Sequence, residues 1–305
     1  TFSITHSYPH QQRCPHAMIN SEFKYGSGFT VDSSMREAFT KNGYIIVRNL
    51  LSEAEVSKVR LGVETSNDLL KNAYTWDDGT GRSAKLTLWN HPGHDVTGVL
   101  ARLNRVANTA KELMEAPEVY HFHGKIIMKN PGAGAHLWHQ DYGYWYLDGC
   151  LYPIMSSVFV AIDDCDRENA CLQVLKGSHK MGRQDHLLIG DQRTIVPERV
   201  EQAKKVLEHI YVEMKAGDAL FFDCNLVHCS GQNDSANRRR WSYIVAFNQP
   251  GNDPRPGTFH PPYTPMEVLP DSALLDCELS DNQTGKTFLN LKTDVTTQGK
   301  KMVEP

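Results

Sequence analysis

His139 and Asp141, in Leu137-Trp138-His139-Gln140-Asp141-Tyr142, form a His-X-Asp pair, and a third candidate ligand, His228, lies far downstream. On an extended strand alternate side chains share a face, so His139 and Asp141 can grip one metal while Gln140 points away. Two imidazoles and one carboxylate make the facial triad that leaves positions open on non-haem Fe(II), where a cosubstrate and dioxygen bind side by side. The chemistry read first is therefore iron-dependent oxygenation. A His-X-Asp pair also arises by chance, and most of the 14 His must have surface or core roles, so the surrounding elements have to decide.

Those elements read as strands and turns. Lys125 to Lys129 is a strand and Asn130-Pro-Gly-Ala-Gly134 a turn, after which the His139 segment begins. Downstream, Gly217-Asp218 marks a turn, Ala219-Leu-Phe-Phe222 an apolar strand, and His228 follows just past it. A polar loop from Ser230 then runs into Arg238-Arg239-Arg240, and the strand Trp241 to Phe247 closes the set. Further upstream, Ser33 to Asn42 is expected as a helix capped by Asp32 or Ser33 and ended by Gly43. Ser52-Glu-Ala-Glu55 opens a second helix through a capping box, with Val56, Val59 and Val63 on one face. The spacing of Val99, Leu103, Val106 and Ala110 predicts one helix over Val96 to Met114.

With Asn42-Gly43-Tyr44-Ile-Ile-Val47, Trp138-His139-Gln140-Asp141, Asn169 to His179, Gly217-Asp218 and His228-Cys-Ser230-Gly-Gln-Asn233 in this order, the chain resembles the phytanoyl-CoA dioxygenase family of Fe(II)- and 2-oxoglutarate-dependent oxygenases from about Met35 to about Gln249. The resemblance implies a mainly β fold with flanking helices, a double-stranded β-helix or jelly-roll, cupin-like barrel. It implies Fe(II) held by His139, Asp141 and His228, with 2-oxoglutarate and O2 as cosubstrates and ascorbate as a possible aid. Oxidation of a substrate C–H bond, as hydroxylation or as desaturation or cyclisation, would release succinate and CO2. With Asp141 present rather than a small residue, halogenation is disfavoured.

The far carboxylate of 2-oxoglutarate asks for an Arg, whose planar fork matches two oxygens. The family's usual spacing from His228 points to Arg239; one extra residue in the loop after Asn233 moves the role to Arg240, whose alternating neighbour is the small Ser242. Arg240 is preferred, with Arg238 a solvated charge. The resemblance also places Ser230, Lys125 and Phe159 in the cosubstrate pocket, although a strand Lys is commonly exposed and a Phe commonly core.

Tyr142, Tyr144, Trp145 and Tyr152 follow the Asp ligand and are expected to wall the substrate pocket, with Trp89 as a second edge. His136, His123 and His121 are read as surface or pocket residues, not ligands, and His179 as part of a structural turn. Asp163, Asp164 and Asp166 lack the Gly and terminal Glu of a calcium loop.

The 305 residues suit a single catalytic domain, since roughly 200 to 250 residues is ordinary for one β barrel. Its expected parts are an N-terminal arm (1–31), a helical flank with first strands (32–119), a barrel core (120–249) with a polar insert (183–210) carrying one helix, and a Pro-rich, polar tail (250–305). A net charge of −4 and the lack of a polybasic field exclude nucleic acid and anionic membranes as partners. A free small-molecule substrate is favoured over an acyl-CoA, and a monomer or weak homodimer is expected. Seven Cys without regular spacing, no leader pattern and no long apolar run favour a reducing, cytoplasmic setting. Two other classes fit the same barrel: a metal-dependent hydrolase or isomerase, and a non-catalytic metal-binding barrel.

Overall fold

The computed structural model describes residues 19–277 and 285–290. The first part of the expected arm, with Cys14, and most of the polar end of the tail lie outside the described residues. Local signals act where they were read. Asp32 accepts the Met35 N–H and opens helix α1 (Ser33–Asn42), and Gly43, at φ 82°, ends it. Ser52 and Glu55 close a reciprocal capping box at the start of α2 (Glu53–Thr65). A short α3 (Asn67–Lys71) follows.

The helix expected over Val96 to Met114 is two, α4 (Val96–Arg102) and α5 (Asn104–Leu113). Leu103 between them is extended because a distant segment claims the backbone on both sides of it: the Leu269 N–H donates to Arg102 O at 2.8 Å, and Leu269 O accepts from Asn104 N–H at 2.9 Å. Periodicity could not show this tertiary contact. Beyond the β core lie α6 (Tyr142–Trp145), α7 (Pro197–Lys204) and α8 (Ala273–Asp276).

The strands in chain order are β1 (Glu22–Lys24), β2 (Tyr44–Arg48), β3 (Tyr74–Asp77), β4 (Ser83–Asn90), β5 (Tyr120–Lys129), β6 (His136–His139), β7 (Ser156–Ala161), β8 (Leu172–Leu175), β9 (His186–Ile189), β10 (Gln192–Ile195), β11 (His209–Val212), β12 (Ala219–Asp223), β13 (His228–Ser230), β14 (Arg240–Asn248) and β15 (Thr287–Phe288). A large sheet runs β1-β2-β12-β7-β14-β5-β4-β15, with β3 paired to β4, and a small sheet runs β11-β8-β13-β6.

Alternation along the large sheet divides the core. Ile45, Val47, Val158, Val160, Tyr243 and Val245 pack under the helices, while Ile46, Phe159, Leu220, Phe222 and Ile244 face Leu172, Val174 and Val212 of the small sheet. This is a mainly β jelly roll with flanking helices, but the two sheets form an open sandwich rather than a closed barrel. Among the described residues no strand pairing joins them.

The polar insert holds more than the one expected helix, because β9 and β10 form a hairpin ahead of α7. The hairpin fastens the edge of β6 through side chains. Gln192 Oε1 accepts the Leu137 N–H at 2.9 Å, its Nε2 donates to Ala135 O at 2.9 Å, and the Thr194 hydroxyl donates to Trp138 O at 2.8 Å.

Candidate metal and cosubstrate site

His139 ends β6 and His228 begins β13, and the two are cross-strand partners. Their Nε2 atoms lie 3.7 Å and 3.9 Å from Asp141 Oδ1, and the three ligand atoms fall within 4.8 Å of one another. Asp141 does not reach this point by strand alternation. Its backbone has turned helical (φ −58°, ψ −40°) at the head of α6, so the carboxylate is delivered by a turn.

Each group around the triad fixes an orientation. The Nδ1 atoms of His139 and His228 donate to Leu137 O (2.7 Å) and Leu226 O (2.8 Å), which leaves both Nε2 lone pairs facing the carboxylate. Burial pushes both imidazoles below their usual range, His139 further because His136 and His228 sit beside it, so both are neutral and able to bind a metal. The Ser157 hydroxyl on β7 donates to Asp141 Oδ2 at 2.6 Å and leaves Oδ1 free. Gln140 turns away and binds Gly182 O and Asn225 O through its amide, clamping the turn from behind.

A cavity runs from this triad between the sheets, lined by Lys125, Phe159, Ser230, Ile244 and Arg240 among others. Arg240 is wholly buried; its Nε donates to Ala170 O at 3.0 Å and its Nη1 to Ser242 Oγ at 3.1 Å, while Nη2 has no partner. A buried guanidinium with an unsatisfied N–H is costly unless an anion completes it. The far carboxylate of 2-oxoglutarate fits that requirement, and the two-imidazole, one-carboxylate donor set fits Fe(II).

Its neighbours are committed elsewhere. Arg239 pairs with Glu64 and with Asp163 (3.1 Å) and lies over the Trp241 ring. Arg238, expected to be a solvated charge, pairs with Asp166 and Glu168, each at 2.6 Å. Phe159 lies 5.6 Å from the Arg240 guanidinium carbon. A roomier cavity, about 560 Å³, opens beside Tyr44, Arg48 and Tyr211, and none of its lining residues belongs to the triad.

A model of the phytanoyl-CoA dioxygenase family matches residues 39–241. The chain belongs to the phytanoyl-CoA dioxygenase family. With that family's His-Asp-His set assembled, it is a 2-oxoglutarate-dependent non-haem iron dioxygenase. Family members similar to it include L-proline trans-4-hydroxylase of Streptomyces griseoviridis, 28% identical over 79% of this chain and 93% of the relative. Ectoine dioxygenase of Bordetella parapertussis is 26% identical over 78% and 84%. The crystal structure of EctD from S. alaskensis in its apo form superposes with a TM-score of 0.65 at 20% identity, over 82% of this chain and 91% of that one.

The aromatic residues expected around the substrate divide. The Tyr144 ring stands edge-on to His139 with centroids 5.8 Å apart, next to Trp76. Tyr142 spends its hydroxyl on Cys150 O and Leu151 O, which holds its own loop together. Trp145 is buried against Phe122, and Tyr152 is 54% exposed. Trp89 is not at a pocket edge. In β4 it is Leu86 and Leu88 that face the small sheet, so Trp89 points to the helical side, where it stacks on Tyr243.

His136 stacks on His139 at 4.1 Å with a buried, unpartnered Nε2, yet lies outside the ligand cluster. His179 bonds Thr40 O beneath Gly43. Sequence reading missed Ser157, Gln192 and Lys129. Lys129 is buried as the cross-strand partner of Arg240 and donates to Gly231 O at 2.6 Å. Its parity with Lys125 was the available signal; Ser157 and Gln192 gave none.

Proposed function

We propose that this dioxygenase oxidises a C–H bond of a small polar metabolite, with iron(II) held by His139, Asp141 and His228 and 2-oxoglutarate anchored by Arg240. The observation that carries the reading is the single cavity with the triad at one end and the incomplete Arg240 guanidinium at the other. Bound there, iron(II) with 2-oxoglutarate and dioxygen supplies the oxidant, and succinate and CO2 are the coproducts.

The chain's own residues provide positioning. Leu137 O and Leu226 O hold the imidazoles in register, and Ser157 steadies Asp141. Ser242 and Phe159 keep Arg240 flat against the end of the cavity, Ser230 lies alongside, and Lys125 adds positive charge next to Asp141. Phe159, Ile244 and Leu172 exclude water between these polar ends.

Substrate size is the second part of the proposal. The proline and ectoine relatives act on small cyclic compounds. Two of the basic residues that could have served a coenzyme A diphosphate are occupied, Arg82 by Gly132 O, Gln232 and Asp234, and Arg102 by Gly98 O and Gly93 O. No helix among the described residues is long and apolar enough to cross a membrane. The described cysteines are free, which suits a reducing setting such as the cytoplasm; a single catalytic domain acting as a monomer or weak homodimer is part of the same proposal.

Succinate release from 2-oxoglutarate, measured with Fe(II), ascorbate and air, tests both parts. L-proline or ectoine is expected to stimulate it more than phytanoyl-CoA. Stimulation by the acyl-CoA alone overturns the small-metabolite reading, and no succinate under any condition overturns the dioxygenase reading.

A further inference from the structure

The pairing of β14 with β5 slips by one residue between Ala246 and Phe247: Ala246 faces His123, Phe247 faces His121, and Phe122 is the extra residue of a bulge. His121 and His123 therefore share parity in sequence but not a face. By register His121 pairs with Phe247 of the helical side, while His123 keeps the parity of Lys125 and Ile127, which line the cavity. Across the sheet the row reads His123, Ala246, Ser157, and Ser157 is the residue whose hydroxyl holds the Asp141 ligand. His123 thus lies in the same cross-strand row as the serine that anchors Asp141, toward the end of the strands away from Arg240.

Behind His123 stands a second imidazole. His123 Nδ1 is 3.0 Å from His260 Nε2, and His260 Nδ1 is 3.2 Å from Asp148 Oδ2. The His260 ring stacks flat on Phe122 at 4.1 Å, and Trp145 packs edge-on to His123 at 5.7 Å, so the pair is held rigidly. The Asp148 contact is off the hydrogen-bond axis, since His260 Nδ1 finds no aligned acceptor. A lone pair facing a carboxylate oxygen at that distance is repulsive all the same, so the proton resides on His260 Nδ1. His260 Nε2 is then an acceptor and must receive the His123 Nδ1 proton. The remaining nitrogen, His123 Nε2, is left as an acceptor with no partner among the described residues. Burial, with His260, Lys125 and His121 nearby, keeps the His123 ring neutral.

We propose that His123 is a substrate-positioning residue, its Nε2 set by the His260–Asp148 chain to accept an N–H or O–H of a small polar substrate bound beside the metal. The proposal rests on the dioxygenase reading and extends it to specificity. It excludes substrates that present only apolar surface at this point, because they would leave a buried acceptor unsatisfied.

The test is histidine ¹⁵N NMR on the full chain loaded with Zn(II) and 2-oxoglutarate, with L-proline and ectoine as probes and cyclopentanecarboxylate as the control lacking an N–H. The expected result is an unprotonated Nε2 on His123 that moves on adding L-proline or ectoine, up to tens of millimolar, and not with the control. His260→Phe, which keeps the stack on Phe122, should scramble the His123 tautomer and weaken the response at least tenfold. A protonated Nε2, or one that ignores both probes, overturns the proposal. Absence of succinate in the wild type overturns the dioxygenase reading instead, and the His123 resonance is judged independently of it.

Discussion

Ser157 and Arg240 show how much of this site depends on residues one step away from the metal. Ser157 touches one oxygen of Asp141 and leaves the other free. Ser157→Ala should therefore lower iron affinity roughly tenfold, the usual effect of losing a partner that orients a ligand. His139→Ala, Asp141→Ala and His228→Ala should each abolish turnover. Iron titration followed by succinate assay checks all four, and a Ser157 variant with unchanged affinity would show that Asp141 needs no support. Arg240→Ala should raise the 2-oxoglutarate requirement about a hundredfold, on the order of 3 kcal/mol for stripping one partner from a desolvated charge pair. Arg239→Ala should cost stability instead, since it loosens Glu64 and Asp163. Reversed effects in the two KM values would move the anchor back to Arg239. The clustering of the triad was legible because its residue types are rare in combination, and the inward placement of Arg240, though not its role, because a small neighbour marked that face. Ser157 was not legible: a serine in an apolar strand carries no sign of what it will touch.

At the scale of elements, helix caps were readable and long-range interruptions were not. Asp32, Gly43 and the Ser52–Glu55 box act within a few residues of themselves, so sequence contains the whole cause. The break at Leu103, the bulge at Phe122 and the β9–β10 hairpin on β6 each depend on a partner far away in the chain. Trp89 was misplaced for the same reason, since its face depends on the register of β4 against β5. That register sets Trp89 opposite Gly124, where a Cβ would come within 2.5 Å of the indole ring. Gly124→Ala should cost about 1–3 kcal/mol, the range for overpacking a filled core. Chemical denaturation checks this, and an unchanged midpoint would mean that the indole can retreat despite its contacts with Tyr243 and Phe288.

The whole molecule is a sandwich whose two sheets share no strand pairing among the described residues, so whatever bridges them contributes directly to their cohesion. The site is such a bridge. His139 and His228 come from the small sheet, Arg240 and Lys125 from the large one, and Asp141 is tied across to Ser157. A metal alone engages the small sheet and the Asp141 turn, whereas 2-oxoglutarate reaching from the metal to Arg240 would staple one sheet to the other. A ligand that binds only the folded state adds about 2.7 kcal/mol at a hundredfold excess over its Kd. For a chain of this size that is roughly 5–10 °C in melting temperature. Thermal unfolding without oxygen should therefore show one increment with Mn(II) and a second with Mn(II) plus 2-oxoglutarate. In Arg240→Ala the metal increment should survive and the cosubstrate increment should disappear, because the metal end of the bridge is intact and the far end is gone. A cosubstrate increment that persists in this variant would mean that 2-oxoglutarate is held from the small sheet alone.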